Sequence, residues 1–179
     1  MPLKFVITGG PGTGKTTLIQ ELERRNFTCT PEISRQVTLM ARKKGIEYLF
    51  LKDPLLFSEL LLEGREKQYL EAANSDAKTV FFDRGIPDVH AYLDHFKTPY
   101  PDTYIKKSNL YRYDGIFILP PWKDIYKNDQ ERFETYESSI SIYNHLNEAY
   151  SFLDYNVVEV PHGKVQERTD FILDHLNLL

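Results

Sequence analysis

The sequence predicts an α/β fold in which five parallel strands form one open, doubly wound sheet. Three observations predict it. Short β-rich runs alternate with longer helical ones, the order expected of βαβ units. The first run passes directly into a glycine-rich turn and then a lysine, in FVITGGPGTGKTTL at residues 5–18. Charged residues follow the ends of the runs, where an open α/β sheet places its ligands.

The elements follow in order. Lys4 to Thr8 reads as the first strand, and Lys15 to Arg25 as a helix with Leu18, Ile19 and Leu22 on one side. Phe27 to Thr30 is a short second strand. Ile33 to Lys44 is helical and ends at Gly45, the residue type favoured just past a helix C-terminus. Asp53-Pro54 reads as an N-cap followed by proline at the first helical position, opening a helix to about Ala73. Thr79 to Phe82 is the third strand and Pro87 to His95 the helix after it. Residues 99–101 are loop, and Asp102 to Tyr111 a short helix. Gly115 to Leu119 is the fourth strand, stopped by Pro120 and Pro121. A polar, irregular stretch precedes a long helix from about Gln130 to Leu153. Asn156 to Val160 is the fifth strand, and Val165 to Leu176 a final amphipathic helix.

The 179 residues fit a single domain over 1–179, with a lid segment at about 120–135. The formal net charge is −4, which argues against a nucleic-acid partner, since phosphate-backbone binding calls for a basic face. The one cysteine, Cys29, cannot form an internal disulfide and reads as a buried thiol in a strand. No apolar run reaches the length of a membrane span, and a cytoplasmic protein is expected. The histidines show no helical pairing or neighbouring cysteines of a transition-metal site. The run Arg42-Lys43-Lys44 reads as a solvated helix end. Tyr92, Phe96, Tyr100 and Tyr104 read mostly as core or rim.

Gly9, Gly14, Lys15 and Thr16 match G-x-x-x-x-G-K-[ST], between a strand and a helix as that motif requires. Glycines let backbone N–H groups close around phosphate, and the helix N-terminus favours negative charge. Gly10, Gly12, Thr13, Gly14, Lys15, Thr16 and Thr17 are therefore the nucleotide-binding candidates. Lys15 reaches the β- and γ-phosphates, and the Thr16 hydroxyl is a ligand for Mg²⁺. Asp83, at the end of the third strand, is the second candidate for Mg²⁺ or a proton acceptor, with an N-cap as its plainer reading. Arg84 beside it suits a phosphate or an acceptor. Glu32 ends the second strand and reads either as a helix-start acid or as a base facing the γ-phosphate, with Arg35 three residues on. After the fourth strand, Trp122, Lys123, Lys127, Asp129 and Arg132 suit a lid that closes over a transferring phosphate, with Arg132 its leading residue. A solvated loop, with Arg132 paired to Glu131 or Glu134, is the alternative.

At these residues the sequence resembles the P-loop kinase-like NTPases. More narrowly, it is similar to the small AAA-type ATPase family that includes the ribosylnicotinamide kinase domain of the bacterial NAD regulator. GGPGTGKTTL, PEISRQ, FFDRGIPD, and the stretch from YDGIFILPPW through NDQERFETYESSISIY to VVEVPHG carry the likeness across nearly the whole chain. It implies a nucleoside-kinase-like P-loop NTPase fold, a five-stranded parallel sheet sandwiched by helices. It also implies ATP and Mg²⁺ in the P-loop, a strand-end acid at Asp83, a lid arginine at Arg132, and adenine beside His162. Between Trp122 and Asp129 the chain is longer than the ribosylnicotinamide kinase pattern.

Three functions compete. One is a kinase passing the γ-phosphate of ATP to a small, nucleoside-like hydroxyl acceptor. Another is an ATPase or nucleotide-dependent binding module; the chain lacks the guanine motif N-K-x-D, which favours ATP over GTP. The third, a nucleic-acid end kinase, is the weakest because the chain is acidic. Oligomeric state cannot be read from the sequence.

Overall fold

A computed structural model describes residues 1–126 and 135–179. Among them are five strands and eight helices. In chain order these are β1 (Leu3–Gly9), α1 (Lys15–Arg24), β2 (Thr28–Thr30), α2 (Ile33–Lys43), α3 (Leu49–Lys52), α4 (Pro54–Ala73), β3 (Thr79–Asp83), α5 (Pro87–His95), α6 (Thr103–Leu110), β4 (Gly115–Leu119), α7 (Tyr136–Phe152), β5 (Val157–Glu159) and α8 (Val165–His175). All strand pairs are parallel, in the order β2-β3-β1-β4-β5.

The central strands β1, β3 and β4 are mainly apolar because both faces of the sheet are covered there. Side chains alternate between the faces. Phe5, Ile7, Phe81, Phe117 and Leu119 pack with Leu18, Ile19 and Leu22 of α1 and Ile172 and Leu173 of α8. On the opposite face Val6, Val80, Phe82 and Ile116 pack with Ala72 of α4 and Tyr150 of α7, while Ile118 meets Ala91 of α5 and Ile142, Leu146 and Ala149 of α7. A fourth cluster joins α2, α4 and α5 through Ile33, Val37, Leu61, Leu62, Val89 and Leu93.

Two local signals act as predicted. The Asp53 side chain accepts from the Leu56 N–H at 3.0 Å, with Pro54 opening α4. Past α2, Gly45 takes φ +76° while its N–H and that of Ile46 close on Arg42 and Ala41. Two features differ from expectation. The short α3 has no cue in the sequence; its N-cap is Tyr48, which has a left-handed φ of 56°, and it packs on α4. The expected start of the long helix at Gln130 lies outside the described residues. Thr135 is extended, and its hydroxyl accepts from the Ser138 N–H at 3.2 Å, so α7 is capped there.

Register places the candidate site. Ile7 pairs with Asp83 and Thr30 with Phe82, so the turns after β1, β2 and β3 open side by side at the carboxyl edge. No described helix is long and apolar enough to cross a membrane.

Candidate functional site

The turn after β1 wraps tightly because Gly12 and Gly14 take φ of 75° and 81°, a region costly for residues with a Cβ. Thr13 Oγ1 donates to the Gly10 carbonyl at 2.9 Å, and Thr17 Oγ1 to the Gly14 carbonyl at 2.8 Å. α1 begins directly at Lys15, with no side-chain cap and no acidic residue in its first turn. Its N-terminal N–H groups and positive dipole end are thus left for an anion. Thr16 is exposed at this end.

Lys15 is buried, and its Nζ stands 3.9 Å from Asp83 Oδ1. Burial, then Arg84, push the Lys15 ammonium below the usual lysine range, while Asp83, Glu32 and Asp88 oppose them. Asp83 Oδ1 is buried with no hydrogen-bond partner among the described residues. An orphaned, desolvated carboxylate oxygen is costly in isolation, and it is a hard donor of the type that holds Mg²⁺. Asp83 does not cap α5, whose N-cap is Ile86.

Glu32 is the N-cap residue of α2, yet its side chain makes no cap hydrogen bond. It accepts instead from Ser34 Oγ at 2.7 Å. Burial favours its neutral form, but Lys15, the Ser34 bond, Arg84 and Arg35 hold it below the usual carboxylate range. Arg84 is buried with φ 71°. Its N–H donates to the Ile7 carbonyl at 3.1 Å, and its guanidinium lies 5.3 Å from the Tyr92 ring centre. Burial opposes its charge, but Tyr92, Asp88, Asp83 and Glu32 outweigh it and raise Arg84 above the ordinary arginine range. Lys15, Glu32 and the adjacent pair Asp83-Arg84, expected from three separate places in the sequence, therefore share one electrostatic neighbourhood.

Sequence reasoning missed three neighbours. Asp88 is fully buried beside Arg84. Arg65 of α4 donates to the Gly85 carbonyl at 2.7 Å. Arg168 of α8 is 3% exposed, donates to the Thr13 carbonyl at 3.0 Å, and lies 5.7 Å from the Trp122 ring centre. Burial alone lowers the Arg168 pKa. Only FFDRGIPD, which contains Asp88, carried a signal, and that signal was the motif as a whole.

Around the cradle, His162 stacks on Trp122 with ring centres 4.8 Å apart and planes 8° apart. Ser139 Oγ of α7 donates to the Pro11 carbonyl at 3.1 Å. Lys123 is exposed in the turn that opens the predicted lid. Lys127, Asp129 and Arg132 lie outside the described residues.

The AAA domain family profile matches residues 4–168. No curated protein matches the sequence. Among solved structures, deoxyadenosine kinase from M. mycoides is 18% identical, with a TM-score of 0.74, covering 99% of this chain and 100% of its own. NadR in complex with NR is 20% identical, with a TM-score of 0.74, covering 98% of this chain and 50% of its own. Thymidylate kinase from Candida albicans is 14% identical, with a TM-score of 0.68, covering 98% of this chain and 91% of its own. This chain has the fold of the P-loop kinases.

Proposed function

The chain belongs to the AAA domain family, and from that premise we propose that it is an ATP-dependent phosphotransferase acting on a nucleoside-like hydroxyl acceptor. The observation that carries this reading is the buried Asp83 Oδ1, without a hydrogen bond among the described residues and 3.9 Å from Lys15 Nζ, with Glu32 and Arg84 close by. Deoxyadenosine kinase, NadR with NR and thymidylate kinase share the fold, which supports a nucleoside-like acceptor over other hydroxyl compounds.

In this reading the turn from Gly10 to Thr17 holds the triphosphate of ATP, and Lys15 neutralises charge on its terminal phosphates. Thr16 and Asp83 would hold Mg²⁺, which supplies further charge neutralisation at the phosphates. Glu32 accepts the acceptor hydroxyl proton as the new O–P bond forms and the bond to ADP breaks. Its lowered pKa keeps it ionised near neutral pH. Arg84 orients the acceptor or the transferring group. His162 borders the adenine, and Arg132 closes the site. Residues 1–179 act as one domain, with the lid at about 120–135.

The test is ADP release from ATP–Mg²⁺ in the presence of a panel of nucleosides that includes nicotinamide riboside. At least one nucleoside is expected to raise release above the acceptor-free rate. If none does, the phosphotransferase reading fails. Tight GTP binding with negligible turnover would instead favour a nucleotide-dependent switch.

A further inference from the structure

Arg84 carries a backbone cost. Its φ of 71° lies in the left-handed region, where the Cβ of a non-glycine residue is crowded by the following carbonyl. Such a conformation persists only where its surroundings hold it. Here they centre on a residue outside the proposed machinery. The Asp88 carboxylate is 0% exposed and lies at a junction of four elements. One oxygen accepts from Thr8 Oγ1 of β1 at 2.5 Å and sits 3.4 Å from Arg84 Nη1. The other accepts from the Gly85 N–H at 3.0 Å and from the Tyr150 hydroxyl of α7 at 2.5 Å. Burial favours the neutral acid, but Arg65, Arg84, Thr8 and Tyr150 hold Asp88 below the usual carboxylate range.

A helix-start acid needs none of this. A surface aspartate in the first turn of α5 would already interact favourably with the helix dipole. The contacts of Asp88 run instead to the strand that leads into the phosphate turn, to α7, and to the strained Arg84 together with the Gly85 that follows it. We infer that Asp88 is a positioning residue of the proposed transfer site, tethering the Arg84 guanidinium and the Arg84-Gly85 turn to β1 and α7. The inference rests on the phosphotransferase reading and adds to it the device that preorganises its arginine.

The test is a double-mutant cycle read as ADP release from ATP–Mg²⁺, with equilibrium binding of a fluorescent ATP analogue measured in parallel. Asp88→Asn keeps the shape and removes the charge. It should lower turnover by about 10-fold while leaving analogue affinity within about 3-fold, because its hydrogen bonds go to Thr8, Arg84, Gly85 and Tyr150 and not to the turn from Gly10 to Thr17. Arg84→Lys keeps a charge but loses the planar fork, leaving a reduced, measurable rate. In that background Asp88→Asn should cost less than about 2-fold more, since its effect acts through the arginine. If Asp88→Asn fails to fold, Tyr150→Phe and Thr8→Val each remove one bond to the carboxylate. Each should lower turnover by about 3-fold, again only when Arg84 is present.

Losses that multiply in the Arg84→Lys background would overturn the inference, as would a parallel loss of analogue affinity. Wild-type turnover in Asp88→Asn with impaired Arg84→Lys overturns this inference alone. Wild-type turnover in Arg84→Lys overturns it together with the role given to Arg84. Failure of every nucleoside to stimulate ADP release is a separate result, and it is the one that removes the phosphotransferase reading.

Discussion

Asp83 and Cys29 show how burial gives opposite outcomes at two side chains near the same edge of the sheet. At Asp83 the carboxylate oxygen facing Lys15 is stripped of water and left without a hydrogen bond, so it gains most from a ligand that completes its shell. Asp83→Asn keeps the shape but removes the charge. It should leave nucleotide affinity within about 3-fold and lower turnover by about 100-fold or more. Steady-state ADP release checks this, and an unchanged rate would take Asp83 out of the mechanism. Cys29 lies on β2 with its Sγ near the Ile19 and Phe27 carbonyls. Burial, with help from Glu23 and Asp83, pushes its thiol up to about 12. The thiolate is the reactive form, so Cys29 should resist iodoacetamide at about pH 7.5 while the protein is folded and react once urea unfolds it. Rapid labelling of the native protein, followed by mass spectrometry, would contradict this.

Among the elements, the tightest junction is the one between the β3–α5 turn and α7. A Cβ on Gly85 would stand 2.4 Å from the Tyr150 hydroxyl, 3.0 Å from Val6 Cγ2 and 3.1 Å from Tyr113 Cε2. None of these is the free end of a flexible chain, so Gly85→Ala should force α7 from the sheet and cost about 1–3 kcal/mol. Gly45→Ala makes a useful contrast. A Cβ there meets nothing within 4 Å, and only the φ of +76° penalises it, by about 1 kcal/mol. Denaturant melts should rank the two in that order, and adding Tyr150→Phe should recover part of the Gly85→Ala loss but none of the Gly45→Ala loss. The sequence shows why some elements were legible and others were not. β1, β3 and β4 are buried on both faces and read as mainly apolar runs, and the C-terminal end of α2 and the start of α4 carry local signals at Gly45 and Asp53-Pro54. α3 has no such signal; its four residues are held by packing on α4 and by Leu49 in the cluster with α2 and α5. Lys15, Glu32, Asp83 and Arg84 could be listed because each follows a strand, but that they meet depends on the order β2-β3-β1-β4-β5, which strand patterns do not encode. The contacts of Asp88 and Arg168 are hidden in the sequence for the same reason. Asp88 meets Thr8 across 80 residues of chain, and Arg168 meets Thr13 across 155.

For the whole molecule, the carboxyl edge is where charge and fold are linked. Lys15 and Arg84 are buried close enough to repel, and Lys15 bears part of the cost as a lowered pKa. A polyphosphate arriving at the cradle relieves that repulsion and satisfies the N–H groups of α1 at once. Binding to the folded state alone stabilises it by about 2.7 kcal/mol at 100 times Kd. For a domain of this size that corresponds to a rise in Tm of about 5–10 °C with ATP–Mg²⁺. Lys15→Ala should abolish most of the rise. The pH dependence has a definite sign. The nucleotide prefers the protonated lysine, so the rise should shrink as pH climbs through the lowered Lys15 pKa, below the ordinary lysine value of 10.5. Melts with and without ATP–Mg²⁺ at about pH 7.5 and about pH 9.5 isolate this effect, because groups that titrate equally in both samples cancel. A rise of equal size at both values would mean that the Lys15 proton does not carry the binding, and the electrostatic account of the cradle would have to move to the backbone N–H groups and Arg168.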